Sequence, residues 1–348
     1  MTVAEAKHRL VTELSPVSPS PQLDAGCILQ WVLDCDRTRL LLRRYDVLTE
    51  GQAAAVEDAL ARRRTGFPIA YITGHKEFFG YDFFVTPAVL IPKPDTELLV
   101  EQAISAIREK LAEQAYASDS ECHPDRRAGS DSPCHNRKTI SVCDMCTGSG
   151  CVGLSVLRTL AGERTAALTL VDISQEALAV ARTNAERLLG AAVTQSAQET
   201  VDAETQSAQE MPPTETQSAQ SADGIRFVRS NLFECVEGAF DIIVTNPPYV
   251  PHSEAQALLE DGRSEPLLAL DGDVTEKGGW SGTEDGLALI RRLVPEAYAH
   301  LVPGGMLLME TGEYNAEETT ELFARAGFKD IRIERDLSGQ MRDVIGRR

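Results

Sequence analysis

The sequence predicts an α/β protein: a mostly parallel, doubly wound, Rossmann-like sheet preceded by a small helical unit and a β-hairpin linker. Three observations predict it. The second half of the chain alternates strand-like and helix-like segments, the pattern of a parallel sheet covered on both faces. Residues 1–75 place apolar side chains at three- and four-residue steps, as helices do. Between them, residues 76–95 are rich in aromatic and β-branched residues, the composition of a hairpin.

The helical unit draws its apolar spacing from Val3, Leu10 and Leu14, then Cys27, Ile28, Trp31 and Val32, then Ala53, Val56, Leu60 and Ala61. Gly74 closes it. In the linker, Phe78, Phe79, Tyr81, Phe83, Phe84 and Val85 surround Gly80. A helix is expected over 96–115, then a flexible loop rich in Ser, Asp, Pro and Arg over 117–138. Strands are expected at 139–144, 167–172, 225–229, 240–246, 305–310, 330–334 and 341–345, with helices at 152–160, 175–189, 286–301 and 316–326. Residues 192–224 interrupt this order. There Thr-Gln-Ser-Ala-Gln recurs from Thr194, Thr205 and Thr216, with acidic residues, no Lys or Arg, and Pro212-Pro213. With large apolar residues nearly absent it reads as a disordered insertion away from the chemistry, although a repeat of about 11 residues also suits a supercoiled helix. The catalytic half is expected to run from 96 to 348.

Composition narrows the function classes. A chain of 348 residues, 43% of them hydrophobic, can build one large or two modest cored domains. Its 34 basic against 53 acidic residues, a net charge of -19, weigh against holding nucleic acid through many phosphate contacts, though a local basic patch is compatible with that balance. No apolar run reaches the roughly 18 residues a bilayer requires. Residues 1–14 mix Glu5, Lys7, His8 and Arg9 with small apolar residues, an amphipathic helix rather than a signal peptide. The eight cysteines are scattered, so a reducing cytoplasm is expected rather than a disulfide framework. Cys122-His123 and Cys134-His135 match no common zinc spacing, and no metal is expected.

The chemistry concentrates at two strand ends. Residues 139–144 run into Cys146, Thr147, Gly148, Ser149, Gly150 and Gly153, where Gly148, Gly150 and Gly153 spell G-x-G-x-x-G. Glycines let backbone approach a ligand, and the following helix N-terminus offers free N–H groups. Asp172, ending the next strand, suits the two hydroxyls of a ribose. Dinucleotides and S-adenosylmethionine both use this architecture. Asp144, at the tip of the first strand, suits the cationic methionine end of S-adenosylmethionine, through its ammonium or by orienting loop and water, and would repel a pyrophosphate. That favours the methyl donor.

The second strand end is Asn246-Pro247-Pro248-Tyr249, after the buried run 240–245. Two prolines fix φ and remove two donors, so the loop presents rigid carbonyl acceptors. The Asn246 side-chain oxygen and the Pro247 carbonyl can each accept one hydrogen of a planar NH2 group, with Tyr249 packed on its face. An amide or aryl-amine nitrogen is a poor nucleophile, and holding both N–H bonds helps it pyramidalise toward a sulfonium methyl. No strong base is needed before attack; positioning supplies on the order of 7–11 kcal/mol in the best cases.

Together these residues resemble the HemK/PrmC family of N5-glutamine methyltransferases, which modify the Gly-Gly-Gln motif of class-1 peptide-chain release factors. The resemblance also includes Pro68 to Gly74, Leu90 to Glu97, Glu265-Pro266, Leu270-Asp271-Gly272, Asp285-Gly286-Leu287, Glu310-Thr311-Gly312, Asp336-Leu337 and Arg342. It implies a seven-stranded class I S-adenosylmethionine-dependent methyltransferase domain. Cys146 to Gly150 would line the methionine end, Asp172 would hold the ribose, and Asn231 and Leu232 would lie near the adenine. Asn246 to Tyr249 would hold the substrate glutamine, and the helical unit would help dock the release factor. Cys146 stands where the family often has Gly, Asn231 for a frequent Asp, Lys93 for Arg and Asn315 for Gln, and the stretch 273–284 is longer than the family leads one to expect. Rival readings are a glutamine methyltransferase acting on the third ribosomal protein of the large subunit, a nucleic-acid amino-methyltransferase, and a cofactor-binding protein without catalysis. The linker and N-terminal matches favour release factors.

Overall fold

The computed structural model describes residues 1–120, 139–161, 166–190, 199–200, 224–260, 265–275, 277 and 279–348. Its N-terminal helices are α1 (Val3–Leu14), α2 (Pro21–Leu33), α3 (Arg37–Leu42), α4 (Glu50–Arg64) and α5 (Ile69–Thr73). Capping boxes start two of them: Thr2 with Glu5, and Thr49 with Gln52, each satisfying donors that a helix start leaves open. Their apolar stripes meet in a core of Leu10, Leu14, Ile28, Leu29 and Leu60. Asp24, nearly buried, is neutralised within that core by Arg63 at 2.7 Å and Ser18 at 2.7 Å. Gly74, at φ +75°, ends α5 and turns the chain into the hairpin β1 (His75–Phe78) and β2 (Tyr81–Phe84). Phe79 and Gly80 both take positive φ at its tip, the tight turn that matches strand twist.

After a 3-10 turn, Pro94–Thr96, α6 (Glu97–Ser120) leads to β3 (Ile140–Met145), α7 (Cys151–Thr159), β4 (Ala166–Asp172) and α8 (Gln175–Leu189). Then come β5 (Glu199–Thr200), β6 (Ile225–Arg229), β7 (Phe240–Thr245), α9 (His252–Glu260) and α10 (Ala288–His300). The chain ends with β8 (Leu301–Glu310), α11 (Ala316–Ala326), β9 (Lys329–Arg335) and β10 (Met341–Arg347). The sheet order is β5-β6-β4-β3-β7-β8-β10-β9. Neighbours from β5 to β8 are parallel, while β10 runs antiparallel to both β8 and β9. Seven of these strands are the seven expected from the sequence, and β5 is a two-residue addition at the sheet edge. One face packs the hairpin, α6, α7 and α8; the other packs α10 and α11. The central β7 is buried along its whole length, the mark of a parallel strand covered on both sides.

The structure departs from the sequence expectations in three places. Helix α6 continues through Ser120, five residues beyond the expected end at 115. Within the segment expected to be structureless, Glu199–Thr200 pairs with Phe227 and Val228; a sheet edge offers free backbone groups to any passing chain. Helix α9 had no sequence expectation. The rest of 192–223, and Cys122-His123 and Cys134-His135, lie outside the described residues.

Two packing features position the site. Buried Asn184 on α8 accepts from the Phe84 N–H at 2.7 Å and donates to the Phe84 and Ser149 carbonyls, each at 2.9 Å. One amide thereby ties the hairpin to the glycine loop. Behind the loop after β7, Gly272 and Gly286 make a backbone shelf. A Cβ on Gly286 would stand 2.0 Å from the Tyr249 carbonyl oxygen, and one on Gly272 would stand 2.2 Å from the Gly286 carbonyl oxygen. Gly286 is also at φ +71°, a conformation other L-residues rarely adopt.

Asp343 on β10 faces Glu310 on β8 across the ladder. It is fully buried, and neither carboxyl oxygen has a hydrogen-bond partner among the described residues. Burial, then the charge of Glu310, pushes its pKa up to about 8, with Glu334 adding to the rise and Arg342 opposing it. An acid raised in the folded state stabilises fully below its unfolded value, near 4, and loses that contribution as pH rises through the folded one.

Two outcomes follow from this packing. Gly286→Ala should lower the unfolding midpoint by several degrees in a calorimetric scan, since backbone must move against backbone. Asp343→Asn, which stays neutral, should raise the midpoint at about pH 9, by progressively less as pH falls, and change it little at about pH 4 or below.

Candidate active site

The carboxyl ends of β3, β4 and β7 open onto one cavity of about 320 Å³, large enough for a small-molecule ligand. Its wall includes Asp144, Cys146, Thr147, Gly148 and Ser149 from the glycine loop, with Asp172, Asn231, Leu232 and Asn246. The sheet therefore brings these sequence-predicted residues together. Gly150 is not in the wall; at φ +79° it caps α7 and turns the loop into that helix.

The turn after β3 owes its shape to two carboxyls. Asp144 is buried, and its Oδ2 accepts from the Thr147 hydroxyl at 2.7 Å and from the Gly153 N–H at 2.9 Å. A Cβ on Gly153 would come within 2.9 Å of that same oxygen and 3.0 Å of Leu168 and Leu170, so glycine there lets the helix close on the strand. Asp172 accepts from the Gly148 N–H at 2.8 Å and, through its other oxygen, from the Ser174 N–H at 2.9 Å. Burial pushes the Asp144 carboxyl up to about 7 and raises that of Asp172. Cys146 sits at φ +60°, where a residue with a Cβ is strained by roughly 1–2 kcal/mol. Its thiol is raised out of the reactive range by burial and then by the Asp172 charge.

On the adjoining wall, Asn231 donates to Glu234 at 2.9 Å and accepts from Arg292 at 3.3 Å. Leu232 takes positive φ, +52°, and turns its apolar side chain into the core against Val228 and Phe233. From the linker, Lys93 reaches Glu265 at 2.7 Å, and the Ile91 N–H donates to the same oxygen at 3.3 Å. Segment 265–275 is thereby held against the linker across the cavity mouth.

The tetrapeptide after β7 splits its residues between the cavity and the interior. Asn246 and Pro248 are in the wall, while Pro247 and Tyr249 are not. The Asn246 amide donates from Nδ2 to Thr96 Oγ1 at 3.1 Å, leaving Oδ1 as its acceptor. The Tyr249 hydroxyl donates to buried Glu310 at 3.2 Å, and the Tyr249 carbonyl accepts from Tyr314 at 3.1 Å and Asn315 at 3.3 Å. Beyond it, Asp273 accepts from the N–H groups of His252 and Gly286, at 3.2 and 2.9 Å, and from the Thr283 hydroxyl at 2.6 Å. Asp271 binds His252 Nδ1 at 2.6 Å, and the His252 ring stacks on Trp280. The stretch 273–284 is thus anchored to the chain that leaves the tetrapeptide.

Thr96, Glu310, Asp273 and the glycine shelf are working parts to which the sequence reading assigned no role. Thr96, Glu310, Gly272 and Gly286 stood inside motif segments quoted above; only their neighbours in space reveal what they do.

Residues 4–74 match the PrmC N-terminal domain family. Over 352 aligned residues the chain is 32% identical to the release factor glutamine methyltransferase of Koribacter versatilis, covering 100% of this chain and 99% of that protein. It is 31% identical to the enzyme of the same name from Salmonella typhimurium, over 98% of this chain and 96% of that one. Among solved structures it is similar to the ribosomal protein L11 methylase of Lactobacillus delbrueckii subsp. bulgaricus, with 16% identity and a TM-score of 0.40 over 76% of this chain and 84% of that chain. With full-length relatives at this identity, and the sheet order found here, the chain belongs to the release factor glutamine methyltransferase family.

Proposed function

We propose that the protein transfers a methyl group from S-adenosylmethionine to the side-chain amide nitrogen of the glutamine in the Gly-Gly-Gln motif of class-1 peptide-chain release factors, in the cytoplasm. The observation that carries this reading is the orientation of Asn246. With its NH2 committed to Thr96, it offers an oxygen beside the rigid Pro247-Pro248 turn, and an oxygen is what a primary amide donor requires. The full-length likeness to proteins named for release factor glutamine supplies the acceptor.

The cavity suits the cofactor. S-adenosylmethionine supplies an electrophilic methyl on a cationic sulfur, and the inner wall presents two carboxyls, the buried Asp144 and the half-buried Asp172. Both have raised pKa values, so a neighbouring positive charge stabilises their ionised forms. Each Asp172 oxygen accepts one backbone N–H, and a carboxylate has further lone pairs for a pair of hydroxyls. Asp144 shapes the glycine loop through Thr147 and Gly153; of the two roles open to it, orienting the loop is the better supported.

Toward the substrate, Asn246 Oδ1 and the Pro247 carbonyl would hold the two amide hydrogens, and Pro248 would wall the cavity beside them. As the carbon–nitrogen bond forms, positive charge develops on the nitrogen and one N–H proton becomes acidic. The two oxygens stabilise that charge where it appears, and the proton departs after attack, so no general base has to act first. The helices α1 to α5 would contribute to docking the release factor.

The test incubates the protein with labelled S-adenosylmethionine and, separately, a release factor, the third large-subunit ribosomal protein, and DNA. Label on the release factor glutamine is expected; label on DNA alone would refute the proposal. Asn246→Ala should cut turnover on the order of a hundredfold or more, as loss of a charge-stabilising group does, while calorimetry still finds cofactor binding. Near-wild-type turnover in that variant would place the acceptor site elsewhere.

A further inference from the structure

Two buried polar side chains each hold one end of the acceptor loop. Thr96 ends the 3-10 turn Pro94–Thr96 and is buried. Its Oγ1 accepts from Asn246 Nδ2 at 3.1 Å. Glu310, buried at the end of β8, accepts from the Tyr249 hydroxyl at 3.2 Å. Thr96 therefore holds the first residue of the tetrapeptide, Asn246, and Glu310 holds the last, Tyr249.

The Thr96 contact gives the amide a direction. With its NH2 held by Oγ1, Asn246 stands with Nδ2 back and Oδ1 forward. An unconstrained asparagine has two amide orientations of similar shape, and the wrong one would set an NH2 against the substrate NH2. Resting on the acceptor-site reading above, we propose that Thr96 and Glu310 are positioning residues: Thr96 sets the orientation of the Asn246 amide, and Glu310 pins Tyr249 at the other end of the tetrapeptide. Neither is argued to touch the reacting atoms.

Kinetics and NMR on the full chain test this. Thr96→Val removes the acceptor for Asn246 with little change in shape, and kcat for release factor methylation should fall on the order of ten- to a hundredfold, the scale expected for a misplaced reacting group. Cofactor affinity by calorimetry should be unchanged. Thr96→Ser, which keeps the hydroxyl, should restore most of the rate. Glu310→Gln exchanges the charged acceptor of the Tyr249 hydroxyl for a neutral amide, so its kcat should also fall with cofactor affinity intact. Wild-type kcat in Thr96→Val or in Glu310→Gln would overturn the role of that residue. The Asn246 side-chain amide resonance gives an answer independent of the acceptor. It should be protected from exchange in the wild type and in Thr96→Ser and exposed in Thr96→Val; equal exchange in all three overturns the orienting contact. A wild-type protein that methylates no release factor would refute the acceptor assignment, while the amide measurement would still decide the contact.

Discussion

At the carboxyl edge of a buried parallel sheet, each strand must end and turn with its backbone polar groups still satisfied, and the site is built from the solutions to that constraint. Unpaired N–H groups deep in a protein cost about 1–3 kcal/mol each. Side-chain carboxyls meet the demand here. Asp144 takes the Gly153 N–H, Asp172 takes those of Gly148 and Ser174, and Asp273 takes those of His252 and Gly286. The acidic residues expected to meet a ligand are thus also the residues that hold their own loops in shape. Removing one would disturb the cavity wall as well as any contact made across it.

This solution has an electrostatic consequence. Burial raises Asp144, Asp172 and Glu310, the first and last to about 7. The basic residues in the cavity wall, Lys93 and Arg292, are engaged by Glu265 and Asn231. The inner wall is left rich in carboxyls that a cation would stabilise. A cationic methyl donor fits that deficit, whereas a pyrophosphate would deepen it. The preference drawn from the position of Asp144 in the sequence acquires a second support in the raised carboxyls of both aspartates.

The fold was largely legible because its strongest signals are periodic. Continuous apolar runs such as Phe240–Thr245 announce a strand buried on both faces, and the alternation of strands with helices announces a parallel sheet. The loops carrying Asp144, Asp172 and Asn246 were legible because each follows or ends a strand-like run, and glycines or prolines mark two of them. What was not legible depends on contacts between residues far apart in the chain. Thr96 and Asn246 are separated by 150 positions, and no local pattern marks a hydroxyl that will face a particular amide. Gly286 could be seen as a glycine in a motif, but its reason is a Tyr249 carbonyl that would lie 2.0 Å from any Cβ. The edge pairing of Glu199–Thr200 depends on the open side of β6 rather than on its own composition.

The division of labour behind the tetrapeptide follows from the reaction it is built to assist. A nucleophile that must lose a proton before attack needs a base in the cavity, with a pKa near the working pH. An amide nitrogen attacking a sulfonium methyl has no such need, because its proton becomes acidic only as the new bond forms. What it needs is alignment, and alignment is best supplied by groups that cannot move. The prolines restrict the backbone, the shelf of Gly272 and Gly286 leaves the Tyr249 carbonyl no room to sink, and Tyr314 and Asn315 hold that carbonyl from the other side. Glu310 is kept out of the cavity wall, where a carboxylate would compete for the substrate amide, and acts on the loop from behind.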